Sequence, residues 1–424
     1  MHRSALFALA VPAACATAPQ STVTAEPAAP APQVMERVVT APAPSPAERA
    51  EDFAAYTRDL AARAVAEGYD ADLVARTIGT AEYFERTITR DANQPEFTKP
   101  PWDYIENAAS AARITRGRAE MSEHANTLAA ITRTYGVPDH ILASIWGLET
   151  SYGRIMGDYA LFTTLATLAY DGRRRGWAEQ QMFAALDLLA AGDVREDQLR
   201  GAWAGAMGMT QFIPTTFRDY AVDFDRDGNK DLWNSEADAL ASAAHYLARS
   251  GWRMGEPVMA EVNVPADFDY SVLETVSKSV DEWSALGVRP ANGMNWGGTA
   301  GALSAKLLAP AGHRGPKMLV FKNFDVLRRY NNSTSYVMGI ASLGDALRGR
   351  AAIRAPWPKS DRPLSFEDKK RLQQRLTELG YSTGGVDGQI GPNTRRAIRA
   401  WQAANGLPAD GYVEQTLFGR ILRE

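Results

Sequence analysis

One carboxylate closes an apolar run between residues 140 and 149. The stretch HILASIWGLE has helical spacing, and Glu149 follows eight residues that carry no charge. Ile141, Ile145 and Leu148 can share one helix face, which leaves Glu149 on the flank of that face and partly buried. A carboxyl group in a poorly solvated site keeps its proton readily because burial disfavours the charged form. Such a group can act as a general acid on a glycosidic oxygen; an exposed glutamate near a helix end is the alternative.

A second segment, GAWAGAMGMTQFIPTTF (201–217), combines many small residues with a single amide. Glycine and alanine let the backbone approach another chain segment or a ligand closely. Gln211 lies among apolar neighbours, and an isolated polar group in such surroundings usually has a specific partner. The segment therefore indicates either part of a binding site or a tight packing loop in which Gln211 caps a local group.

The loop DFDRDGNKDLWN (223–234) has oxygen donors at the spacing of a calcium-binding EF-hand, with glycine at the sixth position. Its candidate donors are the side chains of Asp223, Asp225, Asp227 and Asp231 and the backbone carbonyl of Asn229. Asn234 stands where a bidentate glutamate belongs. The following SEAD also predicts a capping box that starts a helix at Ser235 and uses Asp238. A weak structural calcium site and a solvated acidic turn both remain open.

The first fifteen residues, MHRSALFALAVPAAC, have the basic, apolar and small-residue order of an export signal. Cys15, the one cysteine of the chain, suggests a lipoprotein acylated at that residue in the periplasm, on the outer membrane; ordinary signal cleavage would give a soluble periplasmic or secreted protein. Residues 16–48 are rich in Ala, Pro and Thr and predict an extended tether.

The remaining chain predicts a mainly α fold. Helical periodicity dominates residues 49–354, apart from a small β-containing insertion between about 256 and 321. Residues 355–364 form a second linker, and residues 365–424 predict a compact unit of three helices. The net charge of −4 provides no basic field for nucleic acid, and the five histidines have no metal-ligand spacing.

Six motifs between residues 50 and 350 resemble the lytic murein transglycosylase B family of bacteria. They are WGLETSYGR, LATLAYDGRRR, GAMGMTQFIPTTF, AVDFDRDGNKDLW, AHYLARSGW and RYNNSTSYVMGI. The resemblance implies a lysozyme-like helical fold and an enzyme that cleaves the MurNAc–GlcNAc β-1,4 bond of peptidoglycan without water, leaving 1,6-anhydro-MurNAc ends. No cofactor is implied for the chemistry. The resemblance also implies that the loop 223–234 is a variant calcium-binding loop. An acid just after position 12, either Glu236 or Asp238, would supply its last ligand.

The same resemblance assigns roles to individual residues. Glu149 falls on the single catalytic acid and base, and Gln211 on the amide beside it. Tyr246, Asn331 and Tyr336 fall on positions of the substrate groove. Ala202 departs from the family, which often has a serine there whose hydroxyl can reach the catalytic carboxylate.

The last sixty residues resemble the peptidoglycan-binding domain of many wall hydrolases, through LQQRLTELGY, DGQIGPNTRRAI and WQAANGLPADG. The expected partner is therefore the peptidoglycan glycan strand, bound by a monomer. Two alternatives stay open at this point. They are a muramidase-type hydrolase on the same fold, in which Asp158 or Asp171 supplies a second carboxylate, and an inactive protein that only binds the wall.

Overall fold

The computed structural model describes residues 46–92, 94, 99–296, 298–350 and 353–424. The predicted signal segment 1–15, with Cys15, lies outside the described residues, as does nearly all of the tether predicted for 16–48. The first helix begins at Pro46, slightly before the predicted start of the globular part. Among the described helices, none combines the length and the apolar character that crossing a membrane requires.

Helices dominate the described residues, which confirms the predicted fold class. They are α1 (Pro46–Ala66), α2 (Ala71–Thr77), α3 (Glu85–Ala92), α4 (Pro101–Ala108), α5 (Ala111–Glu123), α6 (Ala125–Tyr135), α7 (Asp139–Thr150), α8 (Leu161–Asp171), α9 (Arg175–Ala191), α10 (Pro214–Tyr220), α11 (Glu236–Arg249), α12 (Val280–Ala285), α13 (Lys322–Tyr330), α14 (Thr334–Leu347), α15 (Phe366–Glu378), α16 (Pro392–Ala404) and α17 (Gln415–Ile421).

Helices α7 and α14 form the centre of the main core, and α14 also packs on α4. Small residues let these helices approach closely: a Cβ atom on Gly344 would lie 3.1 Å from the ring of His140, and one on Gly339 would lie 3.0 Å from Ala108. The last turn of α14 therefore meets the first turn of α7. The two helices run antiparallel, which brings the end of α7 to the start of α14.

The predicted β insertion is present and has its own core. Five strands, β3 (Met259–Asn263), β4 (Ser277–Ser279), β5 (Arg289–Pro290), β6 (Ser304–Leu308) and β7 (Lys317–Val320), form an antiparallel sheet in the order β4-β6-β7-β3-β5. Trp283 is fully buried under the sheet and donates its indole N–H to the carbonyl of Ala305 over 2.9 Å. A separate two-stranded ribbon pairs β1 (Tyr159–Ala160) with β2 (Arg200–Gly201).

The C-terminal module contains three helices, α15 to α17, as predicted. Pro392 opens α16, where its missing N–H has no cost, and Ser365 begins α15 with a capping box. Leu372, Leu376 and Trp401 are fully buried in a core that belongs to this module. The module thus has the apolar interior of an independent folding unit.

The segment predicted as the linker 355–364 is held along the protein rather than extended away from it. Glu261 accepts hydrogen bonds from the backbone N–H groups of Arg354 and Ala355, over 2.8 and 2.7 Å. Lys359 then pairs with Glu106 on α4, 2.7 Å away. Together with the ion pair of Arg395 and Glu274 at 2.9 Å, which joins α16 to the β insertion, these contacts dock the C-terminal module.

The Gly-rich segment turns back on itself directly after β2. Met207 forms isolated bridges with Gly201 on one side and Phe212 on the other. A Cβ atom at residue 201 would lie 1.8 Å from the carbonyl oxygen of Ala206, which is a backbone atom with no room to move. This position therefore requires glycine because of a close backbone approach.

We expect Gly201→Ala to lower the free energy of unfolding by about 1–3 kcal/mol, since the new methyl group forces the backbone apart. Gly176→Ala in α9 is the matched control, because a Cβ there meets no atom within 4 Å. Urea unfolding followed by circular dichroism measures both. Equal midpoints for the two variants would show that the turn tolerates the methyl group.

Candidate active site

Glu149 lies in the last turn of α7, where the helix ends abruptly. Ser151 and Tyr152 both adopt left-handed backbone conformations, with φ of 52° and 62°, so the helix cannot continue past Thr150. The carboxylate is half-buried, and its Oε1 accepts a hydrogen bond from the hydroxyl of Tyr336, 2.6 Å away. The structure therefore brings together two residues that are 187 positions apart in the sequence.

Tyr336 is buried and supplies Glu149 with a hydroxyl donor. Burial and the negative charge of Glu149 raise the pKa of Tyr336 well above its ordinary value. The phenol therefore stays protonated and acts as the donor in this hydrogen bond. Ala202, which has no hydroxyl, uses its backbone N–H to close the Gly-rich turn on Ala206.

A second phenol, Tyr330, was missed by the sequence analysis. It ends α13, is partly buried, and donates its hydroxyl to the carbonyl oxygen of Thr210, the residue before Gln211. Burial and the charge of Glu149 raise its pKa well above the usual value as well. Tyr330 lies in the motif RYNNSTSYVMGI, next to the predicted groove residue Asn331. The sequence signal that could have indicated it is a tyrosine at the end of an amphipathic helix.

Tyr246 supports this phenol. Its ring meets the ring of Tyr330 edge to face, with centroids 5.5 Å apart and planes at 82°. Its own hydroxyl donates to the carbonyl oxygen of Arg329 over 2.7 Å. The ring of Tyr220 also meets that of Tyr246, with centroids 4.8 Å apart. Tyr246 therefore belongs to an aromatic cluster that links α11 to the end of α13.

Gln211 lies in a left-handed conformation, with φ of 52°. Its side-chain Nε2 donates to the carbonyl oxygens of Met156 and Gly208, over 3.1 and 2.9 Å. The amide thus ties the Gly-rich turn to the chain that follows α7. Within the described residues its Oε1 has no hydrogen-bond partner, which leaves an acceptor on this side chain.

Asn331 positions the start of α14. Its Oδ1 accepts from the backbone N–H of Ser333 over 3.1 Å, and the hydroxyl of Ser333 in turn accepts from the N–H of Tyr336 over 3.3 Å. Ser333 is therefore the N-cap of α14. Through this cap, Asn331 fixes the helix turn that presents Tyr336 to Glu149.

The acidic loop 223–234 gathers three carboxylates. Oxygen atoms of Asp223, Asp225 and Asp227 lie within 4.8 Å of one another. Asp231 instead accepts the backbone N–H groups of Trp233 and Asn234 in its own turn. The loop therefore presents a cluster of three hard oxygen donors, the type that Ca²⁺ prefers.

Asp238 has a different place from these three. It is fully buried and accepts the backbone N–H groups of Phe224, Asp225 and Asp231, so it braces both ends of the loop. Ser235 is the N-cap of α11, as predicted, and accepts the N–H of Asp238. The side chain of Asp238 returns to the loop rather than completing the predicted capping box, and burial raises its pKa.

A cavity of about 930 Å³ lies at the opposite end of α7 and is lined by, among others, His140, Trp252, Trp296 and Arg350. None of the predicted catalytic, groove or metal residues lines it within the described chain. The candidate active site is therefore identified by a carboxylate with a dedicated donor and by the surrounding phenols, and not by cavity volume.

Comparison with known proteins shows the family of the chain. A family model described as "Transglycosylase SLT domain" matches residues 52–345, well over half of the chain. The chain belongs to the SLT-domain lytic transglycosylase family. A second model, "Putative peptidoglycan binding domain", matches residues 367–421 of this transglycosylase.

Three relatives document the similarity. Membrane-bound lytic murein transglycosylase B of Escherichia coli K12 is 31% identical over 294 residues, covering 66% of this chain and 79% of that protein. The crystal structure of SltB3 from Pseudomonas aeruginosa in complex with NAG-anhNAM-pentapeptide has 43% identity and a TM-score of 0.83, covering 87% of this transglycosylase and 99% of that chain. Escherichia coli SLT35 in complex with calcium has 26% identity and a TM-score of 0.60, covering 69% and 92%. The transglycosylase is thus an enzyme of peptidoglycan cleavage.

Proposed function

We propose that this peptidoglycan lytic transglycosylase uses Glu149 as both the acid and the base of the reaction. The observation that carries the proposal is the 2.6 Å hydrogen bond from the buried hydroxyl of Tyr336 to one oxygen of a half-buried carboxylate. This bond fixes the orientation of the carboxyl group. Asp158 and Asp171, the other acids considered from the sequence, are both exposed.

The reaction needs one carboxyl group if the sugar supplies its own nucleophile. Glu149 first gives its proton to the glycosidic oxygen between MurNAc and GlcNAc, and the bond to C1 of MurNAc breaks. The carboxylate then takes the proton of the MurNAc C6 hydroxyl as that oxygen bonds to C1. The proton count closes without water, and the product is the 1,6-anhydro sugar. An intramolecular attack of this kind gains from proximity over attack by water.

Neighbouring groups support the same substrate position. The free Oε1 of Gln211 provides an acceptor for a sugar hydroxyl or N-acetyl N–H group. Tyr330, held by the Thr210 carbonyl and by Tyr246, would add an aromatic ring close enough to Glu149 for the charge of Glu149 to act on its hydroxyl. Asn331 acts through the start of α14. These contacts favour a site that accommodates sugar rings and excludes water.

Glu149→Gln is expected to lower release of anhydro-muropeptides from purified sacculi at least about 100-fold, because the amide cannot transfer the proton. Binding to sacculi stays unchanged, since the amide oxygen can still accept from Tyr336. Mass spectrometry of the soluble products measures the release. Glu67→Gln, at an exposed position after α1, is the control and keeps wild-type activity.

Two results would contradict the proposal. Full turnover by Glu149→Gln would remove the residue from the chemistry. Reducing MurNAc ends in the wild-type digest would mean that water, rather than the C6 hydroxyl, attacks C1.

The acidic loop fits a structural cation, which the chemistry at Glu149 does not use. Asp223, Asp225 and Asp227 would bind it with carboxylate oxygens. The Asn229 carbonyl and Asp231 stand at the seventh and ninth positions of the loop. Asp238 holds the loop through the backbone N–H groups that its carboxylate accepts. A divalent cation would remove the repulsion among three clustered carboxylates. The calcium complex of the relative SLT35 supports this choice of ion.

Chelation with EDTA is expected to lower the thermal unfolding midpoint by about 2–8 °C, because an ion bound only by the folded state adds stability. Ca²⁺ restores the midpoint, and Mg²⁺ restores less because it demands a stricter geometry. Asp225→Asn reduces the response to EDTA, whereas Asp267→Asn, on an exposed loop, keeps it. An unchanged midpoint in EDTA would leave the loop as a solvated turn.

The enzyme would work in the periplasm, attached to the outer membrane through an acylated Cys15 and reaching the wall by the tether 16–48. The membrane-bound relative in Escherichia coli supports an anchor. The C-terminal module would hold a monomer on its glycan substrate.

Cys15→Ser is expected to move the protein from the membrane fraction to the soluble fraction, because the acyl chain has no attachment site. Immunoblots of separated fractions measure the shift. Unchanged fractionation would indicate ordinary signal cleavage.

A further inference from the structure

The C-terminal module contains two loops that are built alike. The first loop consists of Gln373, Asp387 and Gly388, and the second loop of Gln402, Asp410 and Gly411. In each loop the glutamine Nε2 donates to Oδ1 of the aspartate over 2.8 Å, and the glutamine Oε1 accepts the glycine N–H over 2.8 Å. Both glycines have φ of 73°. The two loops therefore hold their aspartates in equivalent settings.

The second loop already binds a peptide segment of this chain. Oδ2 of Asp410 accepts the backbone N–H of His313 over 2.8 Å and lies 2.7 Å from the Nδ1 of its ring. The preceding residue passes close to the carboxylate: a Cβ atom on Gly312 would lie 2.5 Å from Oδ2. This loop thus uses its outer carboxylate oxygen to capture the N–H groups of a chain segment from the β insertion.

The first loop presents the same oxygen to solvent. Oδ1 of Asp387 is engaged by Gln373 and by the N–H of Gln389, which matches the bond from the N–H of Tyr412 to Asp410. Oδ2 of Asp387 has no hydrogen-bond or ion-pair partner among the described residues. Asp387 is exposed where Asp410 is buried.

Two exposed apolar side chains lie next to the first loop, one just before Asp387 in the sequence and one against Gly388. Phe366 and Val386 are each 50% exposed, and they are two of the few large apolar side chains in the described chain that are this accessible. Phe366 packs directly on the first loop, because a Cβ atom on Gly388 would lie 2.4 Å from its ring. The ammonium of Lys370 lies 4.6 Å from the ring centroid. An acceptor, an apolar surface and a cation therefore adjoin one another.

We infer that the first loop is the site at which the module binds the peptides of peptidoglycan. Oδ2 of Asp387 would accept a backbone N–H or amine of such a peptide, as Oδ2 of Asp410 accepts His313. Phe366 and Val386 would contact its methyl groups, and Lys370 would face its carboxylates. The inference rests on the proposed wall-binding role of the module and adds the ligand class and the residues.

The test uses the full chain with Glu149→Gln, so that binding is measured without turnover. Asp387→Asn keeps the Oδ1 bonds and replaces only the outer acceptor by a donor. Loss of a hydrogen bond to a charged group predicts a Kd for intact sacculi that is about tenfold higher in a pelleting assay. Glu378→Gln, which changes an acid at the end of α15 and outside the first loop, is the matched control and binds like the parent.

A second substrate separates peptide from glycan. On strands stripped of peptides by an amidase, Asp387→Asn and its parent are expected to bind equally. The inference would be overturned if Asp387→Asn and its parent bound intact sacculi equally. It would also be overturned if Asp387→Asn lost as much affinity on stripped strands as on intact sacculi, because the ligand would then be a sugar. If circular dichroism shows that Asp387→Asn unfolds the module, Phe366→Ser is used instead. We expect this variant to bind intact sacculi several-fold more weakly than the parent, and binding equal to that of the parent would overturn the inference. Since no arm measures turnover, failure here is distinct from failure of the role of Glu149.

Discussion

A hydrogen bond between two helices governs the candidate active site. A carboxylate withdrawn from water at the end of α7 is unfavourable unless a donor compensates it. Tyr336 is that donor, and because burial raises its pKa it keeps its proton while it faces a negative charge. In the proposed mechanism, this bond would hold the carboxyl group of Glu149 in one orientation through both the acid step and the base step.

This bond sets strict demands on the packing around it. The hydroxyl reaches Glu149 only if α14 starts beside the end of α7, and the cap formed by Asn331 and Ser333 determines that start. Gly339 and Gly344 let α14 lie close to its neighbours. The hydrogen bond between Tyr336 and Glu149 thus depends on the apolar run of α7 and also on the glycines of α14.

Much of this was predictable from the sequence, because periodicity reports burial. The helices, the β insertion at 259–320 and the three C-terminal helices follow from local patterns, and Glu149 stood out as the one charge in an apolar run. Tyr336 could be placed in the groove only through family resemblance, and nothing local in the sequence shows that residues 149 and 336 meet. Tyr330 escaped because its role depends on a carbonyl at Thr210, far away in sequence.

The same limit applies to the linker and to Asp238. Proline-rich composition identifies a segment without helix or strand, but it does not reveal the carboxylates of Glu261 and Glu106 that fasten it. Likewise, SEAD predicts the start of a helix. It does not predict that the side chain of Asp238 accepts backbone N–H groups of the preceding loop, because the course of that loop is defined only in the folded chain.

Because the linker is held against the protein, the C-terminal module has a fixed position relative to the active site. A module on a loose tether raises local concentration but leaves the enzyme free to tumble. Here the ion pair of Arg395 with Glu274 and the capture of His313 by Asp410 make the module part of one frame. If the module binds the wall as proposed, it would fix the angle at which a glycan strand enters the active site. The distance between the module and Glu149 would then set how far from the bound point the strand is cleaved.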